Sequence, residues 1–371
     1  MQGFTRGCHT ARMPRSIPLV ATPDEVSVGW MDGVLSGAGI APAGALESLQ
    51  GAAIGTGKVG EIVRYALGWR PGVEGPASVV GKFASRDAAS RQAGLRTGTY
   101  VREVSFYRGL AETVHLKVPA CHGVELDPES GSFVLVLEDL TPALQGDQMK
   151  GCSVDEAALA LEALPGLHAP HWGSRALQGE SWLGVRSQAA AGLGSIYDAF
   201  VEPFAARFAE RLDPEVIAAA RRLRGRVPAW IARDAQPYTL LHGDYRIENI
   251  LFGTPEASFG IGVVDWQTVQ VGPGVSDVAY LLGAGLPVEL RRKHEVELVR
   301  RYRDRMSAHG VDLGWNRCWT EYRTHAFAGL HMAVVASQLV GRDPRSDEMF
   351  CVMAERHAAH ALDLESFDLL S

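Results

Sequence analysis

The stretch LLHGDYRIENILFG, residues 240–253, decides how the rest of the chain is interpreted. Its apolar ends, residues 240–241 and 250–252, predict two short buried strands. Between them lie a histidine, an amide and three charged side chains: His242, Asp244, Arg246, Glu248 and Asn249. Polar side chains that buried strands hold in place usually belong to a functional site. The stretch therefore predicts a site rather than a surface loop.

A second apolar run, FGIGVVDWQ at residues 259–267, follows a turn-like segment that contains Gly, Pro and Ser. If the two runs pair as a hairpin centred near Ala257, Asn249 and Asp265 lie opposite each other. Mg²⁺ prefers such oxygen ligands, completed by water and substrate phosphates. Asp244 precedes the hairpin and is placed to accept the proton of a substrate hydroxyl. This division of roles predicts phosphoryl transfer, whereas a capped turn with incidental acids is the simpler alternative.

Composition limits the protein class. The chain has 371 residues, 46% hydrophobic and 21% charged, which is typical of a soluble globular protein large enough for two lobes. A formal charge of −7 gives no overall attraction to nucleic acid or to an anionic membrane. Five widely spaced cysteines favour reduced thiols and a cytoplasmic location over a disulfide framework.

The pattern of the chain changes twice. Residues 1–44 should form an N-terminal extension and a helix over about 22–37, with residues 1–12 an extension upstream of a second start at Met13. Residues 45–140 show period-two runs and one helix, about 99–111, while residues 141–371 are mainly helical. We therefore expect an α+β fold with a small antiparallel β-rich lobe and a larger helical lobe.

The small lobe should bind a nucleotide. Gly55, Gly57 and Gly60 form a G-x-G-x-x-G motif. A dinucleotide-binding motif would need a helix after Gly60 and an acid about twenty residues further on, and neither fits. A glycine flap over phosphates, between two strands, remains as the functional interpretation. A plain hairpin turn is the alternative.

Lys82 lies in the middle of the apolar strand ASVVGKFAS, where an ammonium group is costly unless it faces an anion. Glu103 on the next helix can orient Lys82 toward nucleotide phosphates, and Glu112 is the rival partner. A solvated edge lysine is the alternative. The strand FVLVLEDL then ends the sheet, and we expect an adenine to bind its backbone at Glu138 and Leu140.

Over about residues 45–345 the chain resembles the aminoglycoside phosphotransferase family of the protein-kinase-like superfamily, which also includes choline kinase-like and ecdysteroid kinase-like enzymes. HGDYRIEN fits the family's H-G-D-x-x-x-x-N, and VVDWQ fits its metal-binding aspartate motif. The resemblance implies a bilobal protein-kinase-like fold. It also implies that Asp244 is the catalytic base, that Asn249 and Asp265 bind Mg²⁺, and that Lys82 and Glu103 serve ATP. Asp277, in GVSDVAYLL, then braces the catalytic loop.

The expected activity is an ATP- and Mg²⁺-dependent kinase of a small-molecule hydroxyl, with GTP as an alternative donor. We expect a monomer or homodimer with no nucleic-acid or membrane partner. A pseudokinase or regulatory nucleotide-binding module is a second interpretation, and an NAD(P)-dependent oxidoreductase is a third.

Two further groups of residues each allow two interpretations. His168 and His171, in LHAPHW, fit either structural histidines or a metal pair, and the structural interpretation is favoured. Trp315, Trp319 and Tyr322 lie at helical spacing and fit either core or an acceptor pocket, with core favoured. The acceptor itself stays unidentified.

Overall fold

A computed structural model describes residues 14–55 and 60–370. Within these ranges the chain divides into two compact units. The small unit comprises residues up to Thr113 together with Ala120–Asp139, and the large unit comprises Val114–Pro119 and the chain from Leu140 onward. The expected α+β class is confirmed.

An antiparallel sheet forms the centre of the small unit. Its strands are β1 (Leu46–Ala53), β2 (Gly60–Trp69), β3 (Ser78–Ala84), β4 (Cys121–Leu126) and β5 (Phe133–Glu138), in the order β1-β2-β3-β5-β4. Alternate residues of β2, Val63, Tyr65 and Leu67, are buried, as period-two patterning requires. They share one core cluster with Met31 and Leu35 of the N-terminal helix.

The small unit contains more helix than expected. Helix α1 is Val28–Gly37, α2 is Ala88–Thr97 and α3 is Thr99–Gly109. The expectation of one helix in residues 45–140 was therefore wrong. Asp87 caps α2, but of that helix only Gly94 is buried, so no apolar stripe marks it in the sequence.

The N-terminal helix begins later than expected. A separate turn of 3₁₀-helix covers Pro23–Glu25. Helix α1 starts after Ser27, whose side chain accepts a hydrogen bond from the Trp30 amide at 3.1 Å. The serine, rather than the earlier proline and acids, is the cap of the long helix.

Helices dominate the large unit. They are α4 (Val154–Ala163), α5 (Pro165–His168), α6 (Arg175–Gln178), α7 (Ala190–Phe208), α8 (Pro214–Leu223), α9 (Val227–Ile231), α10 (Val275–Gly285), α11 (Val288–Ala308), α12 (Trp315–His325), α13 (Ala328–Leu339) and α14 (Pro344–Asp363). Every residue of α10 is buried, including the charged Asp277. A buried carboxylate must accept hydrogen bonds from protein groups. The groups that donate to Asp277 therefore lie close to α10.

Short strands interrupt the helices of the large unit. They are β6 (Leu144–Gln145), β7 (Thr239–Leu241), β8 (Ile250–Phe252), β9 (Ile261–Val263) and β10 (Gln270–Gly272). Strands β6, β8 and β9 form one sheet, and β7 pairs with β10 in another. The polar stretch thus connects two small sheets.

The structure also gives the environment of Tyr322 and the state of the cysteines. Tyr322 is buried and donates a hydrogen bond to Glu295 at 2.9 Å, so it belongs to the core. The cysteines in the described part of the chain are free thiols. Within that part, no helix is long and apolar enough to cross a membrane.

Candidate active site

The expected hairpin is present, but its register differs by one residue. Strands β8 and β9 pair antiparallel with Ile250 opposite Val263, and the Val264 amide donates to the Asn249 carbonyl at 3.0 Å. The residue opposite Asn249 is therefore Val264, and Asp265 follows it by one residue instead of facing Asn249. Asp265 has φ 66° and ψ 69°, a left-handed conformation that is uncommon for a residue with a side chain and that often marks functional sites.

The loop that carries Asp244 begins at the end of β7, next to β10. Gly243 has φ 80°. A Cβ atom there would lie 2.4 Å from the Thr268 carbonyl oxygen, which is too close for any side chain. The glycine is therefore required by both the backbone angle and the space beside β10.

The Asp277 carboxylate holds this loop from α10. It accepts hydrogen bonds from the backbone amides of His242 at 2.8 Å and Gly243 at 3.1 Å. His168 Nε2 lies 3.4 Å from the same carboxylate. The Asp277 side chain is only 2% exposed, so the backbone amides of His242 and Gly243 replace water as its hydrogen-bond donors. It braces the loop, as the resemblance implied.

His168 is a structural residue. Its Nδ1 lies 2.8 Å from the Tyr302 hydroxyl, so both ring nitrogens have protein partners. In the described ranges, no group of three or more His, Cys, Asp or Glu side chains could hold a metal ion. The structural interpretation is therefore supported for His168, whose two ring nitrogens both contact protein groups.

His242 connects the loop to the hairpin. Its Nε2 lies 3.0 Å from the Val264 carbonyl, and its Nδ1 accepts the Asp244 amide at 3.3 Å. These partners require the tautomer with the proton on Nε2. The ring also packs on Trp266, with centroids 4.7 Å apart. His242 thus fixes Asp244 relative to the segment that carries Asp265.

Asn249 lies directly against Asp244. Its Nδ2 donates to the Asp244 carbonyl at 2.9 Å and to Asp244 Oδ2 at 3.0 Å. The amide protons are thereby used, and Oδ1 is the atom of Asn249 that can bind a cation. One amide oxygen and the Asp265 carboxylate fit Mg²⁺, which takes its other ligands from phosphate and water.

Two residues near Asp244 were not assigned a role from the sequence. Arg246 Nε donates to Asp244 Oδ2 at 3.1 Å. Burial raises the pKa of Tyr280 well above its ordinary value, and the nearby Asp244 carboxylate adds to the shift, so Tyr280 stays a neutral phenol. Arg246 lies within residues 240–253, so the sequence could have indicated it. Tyr280 lies near Asp244 only because α10 is buried beside the loop, which no local sequence pattern indicates.

The small unit brings Lys82 and Glu103 together. Lys82 Nζ lies 2.7 Å from Glu103 Oε1, and the two residues are 8% and 1% exposed. The rival acid, Glu112, lies exposed in a short turn. A solvated edge lysine is therefore excluded, and β3 and α3 hold one buried ion pair.

The glycine motif lies between two strands. Gly55 has φ 74° just after β1, and Gly60 begins β2, where a Cβ would meet the Phe83 carbonyl oxygen at 2.6 Å. Gly57 lies outside the described residues. Because a strand rather than a helix follows Gly60, the motif lacks the context of a dinucleotide-binding site.

Glu138 and Leu140, the two positions expected to bind adenine, both form hydrogen bonds within the protein. The Glu138 amide donates to the Ala120 carbonyl at 2.8 Å, and the Ala120 amide donates to Glu138 Oε2 at 2.9 Å. The Leu140 carbonyl accepts the Ala143 amide at 3.0 Å. These contacts hold Glu138 at the end of β5 and Leu140 at the start of a turn.

Comparison with known proteins gives a family and a fold. A family model described as the phosphotransferase enzyme family matches residues 76–312. No curated protein matches the chain in sequence.

Solved structures resemble the chain closely enough to define its fold. Choline kinase from Cryptosporidium parvum Iowa II is 10% identical with a TM-score of 0.57, covering 90% of this chain and 94% of that one. A putative aminoglycoside phosphotransferase from Ralstonia eutropha JMP134 is 15% identical with a TM-score of 0.51, covering 90% and 97%. The GDP complex of wild-type aminoglycoside 2'-phosphotransferase-IIIa is 12% identical with a TM-score of 0.51, covering 85% and 94%. The protein-kinase-like fold is thereby confirmed.

Replacing Asp277 by Asn should destabilise the chain, because an amide offers one acceptor oxygen where the carboxylate offers two. One of the His242 and Gly243 amides then loses its partner, which costs about 1–3 kcal/mol. Urea unfolding of wild type, Asp277→Asn and the exposed control Asp312→Asn measures the difference. Equal losses for both variants would show that the buried carboxylate does not brace the loop.

Proposed function

Since the chain belongs to the phosphotransferase enzyme family, we propose that it transfers the γ-phosphate of ATP, with Mg²⁺, to a hydroxyl group of a small molecule. The observation that carries the proposal is the fixed position of Asp244. Asn249 holds its side chain, and Asp277 holds the backbone before it. Phosphoryl transfer requires such preorganisation, because positioning and electrostatic stabilisation provide most of the rate enhancement in enzymes that catalyse it.

The large unit would carry out the proton transfer. The acceptor hydroxyl gives its proton to Asp244 while its oxygen bonds to the γ-phosphorus, and the bond from that phosphorus to the bridging oxygen breaks to leave ADP. Asn249 Oδ1 and the Asp265 carboxylate would hold Mg²⁺. When bound, the ion neutralises charge on the nucleotide phosphates.

The small unit would hold the nucleotide. Glu103 fixes the Lys82 ammonium at 2.7 Å, so that Lys82 presents its charge to the α- and β-phosphates. The glycine segment with Gly55, Gly57 and Gly60 would cover the phosphates, and the backbone at Glu138 and Leu140 would bind the adenine. Burial of the ion pair supports this assignment, since a buried lysine needs anionic partners.

The acceptor is proposed only as a class, a hydroxylated small molecule. The structural neighbours named above include a choline kinase and aminoglycoside phosphotransferases. The proposal includes a cytoplasmic monomer or homodimer with no nucleic-acid or membrane partner, and GTP as an alternative donor.

A ligand panel separates the competing functions. Thermal unfolding with ATP, GTP and NADPH, each with and without Mg²⁺, should show stabilisation by Mg·ATP or Mg·GTP and none by NADPH. A metabolite-library phosphorylation screen read by mass spectrometry then identifies the acceptor. Nucleotide binding with no transfer to any acceptor would favour a regulatory module, and Mg²⁺-independent NADPH binding would favour an oxidoreductase.

Asp244→Asn should lower turnover by about 10² to 10⁴, the usual share of general-base catalysis, because the amide cannot accept the hydroxyl proton. Affinity for Mg·ATP, measured by calorimetry, should stay near that of wild type. Asp304→Asn, an exposed change on α11, is the control for the chemistry of the substitution. Wild-type turnover in Asp244→Asn with the cognate acceptor would remove Asp244 from the role of base.

Lys82 and Glu103 should act as one unit. Lys82→Met keeps most of the side-chain volume but loses the charge, so phosphate positioning fails while the fold survives. Glu103→Gln should lower activity less. The double variant should be little worse than Lys82→Met alone, because Glu103 acts through Lys82.

Steady-state kinetics at saturating Mg·ATP give the coupling between these two changes. The exposed neighbour Glu112 provides the matched control, Glu112→Gln, which should leave turnover unchanged. Strictly additive losses for Lys82→Met and Glu103→Gln would mean that the two residues act independently.

A further inference from the structure

We propose that Arg246 is a positioning residue of the catalytic base: its guanidinium holds Asp244 Oδ2, so that Oδ1 receives the substrate proton. This inference rests on the proposed function of Asp244. It adds a residue to which neither the family match nor the sequence motifs give a role.

The geometry places Arg246 between two carboxylates. Its Nε donates to Asp244 Oδ2 at 3.1 Å, and its Nη1 donates to Glu248 Oε2. The side chains of Asp244, Arg246 and Glu248 are only 15%, 18% and 18% exposed, so water screens these contacts weakly. An ion pair on the open surface would contribute little, but a partly buried one orients its members.

Asp244 Oδ2 receives two donors. Asn249 Nδ2 donates to it at 3.0 Å, and Arg246 Nε donates at 3.1 Å. Two donors on one oxygen fix the plane of the carboxylate and leave Oδ1 as the oxygen not used by either. The structure therefore distinguishes the two oxygens of the base by their partners.

Helix α14 fixes the far end of the arginine. Met349 Sδ lies 3.4 Å from Arg246 Nη1, and Arg345 Nη2 lies 3.6 Å from Glu248 Oε1. Glu248 is thus held by two arginines and keeps the Arg246 guanidinium in place. A side chain restrained at both ends loses little entropy in holding Asp244.

The charges favour a permanent cation at this point. Burial acts to lower the pKa of the Arg246 guanidinium, but the Asp244 and Glu248 carboxylates raise it above its ordinary value. Without Arg246, two carboxylates in the same partly buried loop would lack the cation that now contacts both. The Asp244 carboxylate would then be held at Oδ2 by one donor, Asn249 Nδ2, instead of two.

The test compares Arg246→Met, Arg246→Lys and Glu248→Gln with wild type, with the acceptor identified by the metabolite screen. We expect Arg246→Met to lower kcat by about 10- to 100-fold, the usual effect of misplacing a reacting group by about 1 Å. KM for Mg·ATP should stay unchanged, because the side-chain partners of Arg246 are Asp244, Glu248 and Met349 of the large unit. Arg246→Lys should restore part of kcat by returning the charge.

Glu248→Gln weakens the tether without removing the guanidinium, because a neutral amide oxygen accepts a weaker hydrogen bond than a carboxylate does, so kcat should fall less than in Arg246→Met. It remains informative if Arg246→Met fails to fold. Arg221→Met is the matched control, since Arg221 forms an exposed ion pair with Glu202 at 2.8 Å on another helix pair of the same unit.

The outcomes separate this inference from the proposed function. A wild-type chain that transfers no phosphoryl group to any acceptor would contradict both. An active wild type with unchanged kcat in Arg246→Met or Glu248→Gln would overturn the positioning role alone. A loss of kcat in Arg246→Met that Arg246→Lys does not relieve, with a matching fall in melting temperature, would make Arg246 a purely structural residue.

Discussion

The buried carboxylate of Asp277 is the constraint on which the rest of the large-unit site depends. Helix α10 is buried along its whole length, so this charge has no water to solvate it and must take donors from the protein. It takes them from the backbone of His242 and Gly243, the two residues before Asp244. The position of Asp244 therefore follows from the need to provide hydrogen-bond donors for the buried Asp277 carboxylate.

The same logic extends outward from the loop. Gly243 can approach β10 only because it has no side chain, and His242 joins the loop to the hairpin through its two ring nitrogens. Asn249 and Arg246 then act on the carboxylate of Asp244 itself. Each step orients the next group, which is how a reaction that depends on charge placement is prepared by the fold.

Much of this arrangement could be predicted from the sequence, because it rests on local patterns. The alternation of β2, the apolar runs around the polar stretch and the lysine in an apolar strand all reflect burial. The predicted register of the β8–β9 hairpin differs from the observed one by one residue. Counting residues from the middle of the turn assumes a symmetric turn, whereas the geometry of the loop sets the pairing. Helix α2 was missed since it buries almost nothing.

Contacts made through the tertiary fold could not be predicted. Tyr280 lies near Asp244 only because α10 packs under the loop, and Met349 of α14 reaches Arg246 across about a hundred residues of sequence. No spacing rule in the sequence connects those positions. The contacts of Tyr280 and Met349 could therefore be found only in the structure.

We propose that Asn249 and Asp265 hold Mg²⁺ beside Asp244, the base. A crystal structure of the wild-type chain with Mg²⁺ and a non-hydrolysable ATP analogue tests it most directly. We expect Mg²⁺ at about 2.1 Å from Asn249 Oδ1 and from an Asp265 carboxylate oxygen, with the remaining ligands from phosphate and water. A nucleotide whose Mg²⁺ contacts other side chains, and neither Asn249 nor Asp265, would show that these two residues are not the metal ligands.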